Sequence, residues 1–248
     1  MRAILISAGR GTRLLPLTKN TPKCLIHIGN GDTILENQIK TLRESGIEDI
    51  SIITGYLTEQ IEAKVKDIKG IEIIYNPFYD EANNLYSLWM AKWRMDEEII
   101  TINGDNIFYP EVIEELMERE EDIVMAISKE DEYDDDDMKV SLKGDRVVKV
   151  GKNLESQEVD GESVGIIKYS KKGAQILKEQ LEEMVKNGGH RDDFYLAAIQ
   201  KIIDKNITVN YHEIDSGKWQ EMDFHQDVDL IRNLLESKYD LFKNYKGK

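Results

Sequence analysis

The sequence predicts an α/β protein: a mostly parallel, doubly wound (Rossmann-like) sheet with a small substrate-side β/α insertion. Three observations carry this. Apolar runs alternate with amphipathic stretches through the first 127 residues. The first apolar run opens directly into glycines. After about residue 130 the rhythm changes to shorter strand-like pieces.

The apolar runs at 3–6, 50–54, 71–75, 98–102 and 122–127 read as strands. Between them, 33–45, 58–68, 84–94 and 110–119 carry helical spacing. Gly46 and Gly70 suit helix ends, and Pro110 suits a first turn. This βαβ order implies parallel strands with helices on both faces, and such sheets bind ligands beyond the carboxyl ends of their strands. Further on, 138–142 and 146–150 form a hairpin about Lys143-Gly144-Asp145. A strand at 163–169, helices at 171–187 and 191–204, a strand at 207–213 and a helix at 226–238 follow, with a solvated tail from Tyr239. The expected organisation is one domain over 1–248, with 130–205 inserted on the substrate side.

Composition narrows the class. The chain has 248 residues, 40% hydrophobic, with only 4 prolines, so it can bury a substantial core. A net charge of −15 disfavours nucleic acid. No apolar run approaches the ~18 residues of a membrane span, and four apolar residues after Met1-Arg2 are too few for a signal peptide. A cytoplasmic protein is expected. The single Cys24 excludes an intramolecular disulfide and reads as a small packed residue. His27, His190, His212 and His225 show no metal-ligand spacing.

The first strand ends in Ser7-Ala8-Gly9-Arg10-Gly11-Thr12-Arg13. Gly9 and Gly11 lack Cβ atoms, so backbone N–H groups can turn toward phosphate oxygens. Arg13 offers a planar fork and Lys23 a compact charge. A Walker loop is excluded because Thr12-Arg13 follows Gly11. A dinucleotide fingerprint is excluded because Leu14 stands at the third glycine, and Pro16 and Pro22 make 8–22 an ordered loop. Asn103-Gly104-Asp105-Asn106 follows a strand, where a carboxylate can hold Mg²⁺ over phosphates. The same string is also ordinary turn chemistry. In Trp219-Gln220-Glu221-Met222-Asp223 the two acids share one side of a strand, which is costly unless they face water or a cation.

From Gly9 to Lys23 the chain reads G-x-G-T-R-L-x-P-L-T-x-x-x-P-K. This resembles the signature loop of the nucleotidyltransferase superfamily of sugar-nucleotide pyrophosphorylases and cytidylyltransferases. Asn83-Asn84-Leu85-Tyr86-Ser87-Leu88 resembles a stretch of the bacterial CTP:phosphocholine cytidylyltransferase-like enzymes, with Leu85 in place of an aromatic. The resemblance implies a Mg²⁺-dependent transfer of a nucleoside monophosphate, CMP from CTP, to a small phosphorylated acceptor, with release of pyrophosphate. A hexose-1-phosphate pyrophosphorylase using UTP or dTTP, or an inactive nucleotide-binding regulatory subunit, are its rivals.

The implied roles follow residue by residue. Ser7, Ala8, Gly9, Gly11, Thr12, Arg13, Lys23, Gly55, Tyr56, Asn83, Asn84 and Gly104 line the nucleotide. Arg13, Lys23 and Lys152 act on the reacting phosphates, and Asp105, Glu221 and Asp223 hold Mg²⁺. Lys139 and Lys149 compete with Lys152, and Asp215 is a decoy for the late acidic pair. Lys152, Asp193 and Tyr195 are implied to line the acceptor pocket. The tryptophan that choline-phosphate enzymes offer falls within 134–138, which holds none. Phosphocholine is therefore not expected as acceptor, and the acidic run 134–137 is expected to be a solvated loop.

Overall fold

The computed structural model describes residues 1–29, 31–130 and 132–228. Strands β1 (Arg2–Ser7), β2 (Ile50–Thr54), β3 (Ile71–Tyr75) and β4 (Ile99–Asn103) form near the expected runs. Helices α1 (Ile34–Glu44), α2 (Thr58–Val65) and α3 (Asn84–Met90) separate them. A short strand, β5 (Asn106–Phe108), comes next and is unforeseen; α4 (Pro110–Met117) and β6 (Ile123–Ser128) follow it. The hairpin β7 (Lys139–Lys143) and β8 (Arg146–Gly151) leads into β9 (Gly161–Tyr169). The described chain closes with α5 (Lys171–Asn187), α6 (Leu196–Asp204), β10 (Asn210–Glu213) and β11 (Trp219–Glu221). Residues 225–228 are helical. The rest of the helix expected to 238, and the tail, lie outside the described residues.

The expected mostly parallel sheet is corrected to a mixed one. Nine strands run in the order β3-β2-β1-β4-β9-β6-β10-β8-β7. The first four are mutually parallel, and β6 is parallel to β10. Strand β9 is antiparallel to both β4 and β6. The reason lies in the connection. A parallel return needs a long crossover, usually a helix. Between β6 and β9 the chain builds the β7–β8 hairpin instead and re-enters the sheet in the opposite sense.

Period-2 alternation distributes the core. Ala3 and Leu5 pack on one face with Leu35, Leu42 and Ile61 from α1 and α2 and Ile113 from α4. Ile4 and Ile6 pack on the other with Leu85, Leu177 and Ile199 from α3, α5 and α6. Helix α1 starts on a reciprocal cap. Thr33 Oγ1 accepts from the Glu36 backbone N–H, and the Glu36 carboxylate accepts from the Thr33 N–H at 2.9 Å. Among the described residues no helix is long and apolar enough to cross a membrane.

The site is positioned by three chain ends. Strands β1 and β4 are adjacent and parallel, so the loop after Ser7 and the turn after Asn103 leave the same edge. Gly104 lies against β1: a Cβ there would stand 2.1 Å from Ser7 Oγ, so only glycine fits. Strand β11 pairs antiparallel with β5, setting Glu221 opposite Asn106, and the Met222 N–H donates to the Asp105 carbonyl at 3.2 Å.

Candidate active site

A cavity of about 1180 Å³ opens at that edge. Ser7, Ala8, Gly9, Gly11, Thr12, Arg13, Lys23, Asn83, Asn84 and Gly104 line it, with Asp105, Glu221 and Asp223 beneath. So do Lys152 and Tyr195. Gly55, Tyr56 and Asp193 are not among its lining residues. Tyr56 donates its hydroxyl to the Lys19 carbonyl at 2.6 Å, and Asp193 turns to His190 at 2.7 Å.

Gly11 has φ 62°, the left-handed region that favours glycine, and it starts the tight turn Thr12–Leu14. This turn carries Arg13. Its guanidinium donates to Asp223 at 2.6 Å and pairs with Asp136 at 3.0 Å. The next cation, Lys23, follows Pro22 and is 15% exposed. Its ammonium bonds Asp105 at 2.7 Å and also bonds Asp223. Burial by itself would lower the Lys23 pKa. The attraction of Asp105 and Asp223, with their hydrogen bonds, outweighs it and raises the value. Lys23 therefore stays charged.

Asp105, Glu221 and Asp223 each offer a carboxylate oxygen, all within 4.8 Å of one another. Asp105 Oδ1 is buried with no hydrogen-bond partner. Glu221 makes no ion pair among the described residues, and burial, then the charges of Asp105 and Asp223, push its carboxyl well above the usual range. Three converging carboxylates, one with an orphaned oxygen and one pushed up by burial and by its acidic neighbours, fit a hard divalent cation such as Mg²⁺. Asp215, the decoy, instead caps a short turn through the Gly217 N–H at 2.7 Å.

On the other side, Lys152 lines the cavity. Its ammonium pairs with Asp136 at 3.1 Å and lies 4.8 Å from the centre of the Phe194 ring. Of its competitors, Lys149 pairs with Glu158, and Lys139 is nearly buried and donates to the Lys152 carbonyl at 3.4 Å. The acidic run is exposed from Asp134 to Asp136, as a solvated loop is, and it also borders the cavity, where Asp136 bridges Arg13 and Lys152. Tyr195 is 1% exposed and belongs to the core cluster, so its ring face is covered. Cys24 is buried, which pushes its thiol up to about 12 and removes it as a nucleophile.

Asn83 and Asn84 are engaged structurally. Asn83 Oδ1 accepts from the Asn84 N–H and so caps α3, while its amide donates to the Asp192 carbonyl at 3.1 Å. Asn84 Oδ1 accepts from the Tyr195 N–H at 2.7 Å. The pair ties α3 to the segment before α6.

The family described as nucleotidyl transferase matches residues 2–135, more than half of the chain. The chain belongs to the nucleotidyl transferase family. Over 109 residues this nucleotidyl transferase is 42% identical to choline-phosphate cytidylyltransferase of Streptococcus pneumoniae. That stretch is 44% of this chain and only 46% of the relative. Over 93% of this chain and 98% of the relative, it is 24% identical to CTP:phosphoglutamine cytidylyltransferase of Campylobacter jejuni. The solved structure of CTP:phosphocholine cytidylyltransferase from Streptococcus pneumoniae matches with a TM-score of 0.77 at 27% identity, covering 94% of this chain and 98% of that one. The inositol-1-phosphate CTP transferase from T. maritima shares the fold, with a TM-score of 0.78 at 21% identity over 94% and 95% of the two chains.

Reading the nucleotidyl transferase sequence alone misses three cavity residues. Phe224 sits under Arg13, its ring centre 5.5 Å from the guanidinium carbon, and Phe194 sits under Lys152. Each follows an acidic residue with a chemistry of its own, Asp223 and Asp193. Glu162, at the start of β9, carries no motif at all.

Proposed function

We propose that this nucleotidyl transferase transfers CMP from CTP to a small phosphorylated acceptor and releases pyrophosphate. The observation that carries the reading is Lys23, charged and fixed between Asp105 and Asp223 at the foot of the glycine loop. Phosphoryl transfer of this kind needs positioning and charge neutralisation more than a covalent step. A Cβ at Gly9 would meet only open space, so the loop borders the open cavity there and the triphosphate would lie along it. Arg13 and Lys23 neutralise the triphosphate, and Lys23 acts where charge develops on the leaving pyrophosphate. Lys152 orients the acceptor phosphate, whose oxygen attacks the α-phosphorus. Arg13 and Lys152 are both tied to Asp136, so an incoming phosphate exchanges one anionic partner for another. Asp105, Glu221 and Asp223 would hold Mg²⁺, which supplies further neutralisation of phosphate oxygens when bound.

The test is pyrophosphate release by the purified chain with CTP, UTP or dTTP against a panel of phosphorylated alcohols, amines and sugars. Release should depend on an acceptor, favour CTP, stop with EDTA and resume with Mg²⁺. No release with any triphosphate, or release indifferent to the acceptor, overturns the reading. Preference for UTP or dTTP with a hexose 1-phosphate would move the chain to the sugar-nucleotide branch.

A further inference from the structure

We propose that Tyr56 is a positioning residue for the transfer: its hydroxyl holds the outer limb of the glycine loop and so sets where Arg13 and Lys23 meet the triphosphate. The inference rests on the transfer reaction proposed above and gives a role in it to a residue outside the cavity lining.

Gly55 and Tyr56 leave β2 pressed against the start of the glycine loop. A Cβ on Gly55 would stand 2.7 Å from the Ala8 carbonyl oxygen, and the Tyr56 N–H donates to that same oxygen at 3.0 Å. Leu57 then has φ 52° and ψ 42°, the left-handed region, which is costly for a residue with a branched side chain. Such a conformation persists where its surroundings over-determine it. Here the surroundings include bonds to the loop. The Tyr56 hydroxyl donates to the Lys19 carbonyl at 2.6 Å, and from the first turn of α2 the Gln60 amide donates to the Asn20 carbonyl at 3.0 Å.

Lys19 and Asn20 lie between Arg13 and Lys23 in the chain. This limb has little core of its own: of residues 15–20 only Thr18 is buried. The Thr18 hydroxyl donates to the Gly11 carbonyl at 2.7 Å, so a limb held at 19–20 is also held at the turn that carries Arg13. Tyr56 braces the other end of the loop as well. Arg10, the cation between the two glycines, gives both prongs of its guanidinium to Asp80 at 2.6 and 2.7 Å, and its guanidinium carbon lies 5.4 Å from the centre of the Tyr56 ring. Direct contact with the nucleotide is the weaker reading on geometry. Tyr56 is not among the lining residues of the cavity, and its hydroxyl and ring are already engaged.

The experiment is calorimetry in Mg²⁺ buffer with inorganic tripolyphosphate, CTP and UTP as probes. Tyr56→Phe keeps the ring and removes the bond to Lys19. It should weaken tripolyphosphate and CTP by the same factor, about three- to fivefold, as one hydrogen bond is worth. The CTP-to-UTP ratio and the melting temperature should not change. Adding Gln60→Ala should widen the loss to about tenfold or more, as a second hydrogen bond is worth. Unchanged affinities in Tyr56→Phe overturn the inference and leave the transfer reaction standing. A loss for CTP with tripolyphosphate unchanged, or a shifted CTP-to-UTP ratio, puts Tyr56 at the nucleoside and also overturns it. So does a lower melting temperature with all three affinities unchanged, which makes the bond structural only. A wild-type chain that binds none of the three probes discards the transfer reaction and this inference with it.

Discussion

The two walls of the cavity differ in charge balance. On the wall built from β1, β4 and β11, cations and anions are interleaved: Lys23 bonds Asp105 and Asp223, and Arg13 bonds Asp223. On the wall built from β8, β9 and the 134–137 segment before β7, acids are in excess: Asp134 to Asp137 and Glu162 line it with Lys152. In the proposed reaction the first wall would serve the step that every acceptor shares, the neutralisation of a polyphosphate. The second carries more acids than cations. The proposed reaction thus puts the transfer step and acceptor binding on different walls, and substitutions should separate them.

The largest effect is expected at the carboxylates of the first wall. Asp105→Asn or Asp223→Asn should each lower kcat by about two to three orders of magnitude, the range for one electrostatic group aimed at developing charge. Thermal melting should show the fold intact, and excess Mg²⁺ should not rescue full activity. Wild-type turnover in both variants would show that the first wall is not the reacting one.

Next comes Lys23. Lys23→Ala should lower kcat by about a hundredfold while the KM for CTP moves less, since the charge matters most in the transition state. Lys23→Arg should rescue poorly, because a planar fork cannot occupy the position of a compact ammonium between two carboxylates. A change confined to KM would make Lys23 a ground-state binder.

Lys152→Ala should act on the second wall. The expected change is a rise of about tenfold in KM for the phosphorylated acceptor, with the KM for CTP little altered, as for one charged hydrogen bond. Steady-state kinetics with each substrate varied in turn decide it; equal changes in both would merge the two walls.

The smallest effect is a control on the scaffold. Thr33→Ala removes the reciprocal cap of α1 and should cost about 1 kcal/mol of stability. For a chain of this size that lowers Tm by roughly 2–4 °C. Activity per folded molecule should not change, because the cap touches neither wall. A kinetic effect would mean that α1 transmits to the site.

What the sequence by itself determined was local. Chain-neighbour rules suffice for β2 and β3, which span the apolar runs 50–54 and 71–75, and for α4, which starts on Pro110. The glycine loop, Lys23 and the two acidic segments were legible because each is a contiguous string with its own chemistry. Tertiary structure alone decided what crosses the sheet. The sense of β9 depends on whether a hairpin or a helix bridges it to β6, and local periodicity is the same either way. Asp105 meets Glu221 and Asp223 only because β5, a strand of three residues, pairs with β11. Glu162 reads as one polar residue before a strand. It becomes a buried acid among acids only when β9 enters the sheet close to Asp137, Glu130 and Asp134, since burial and like charge are properties of neighbours in space.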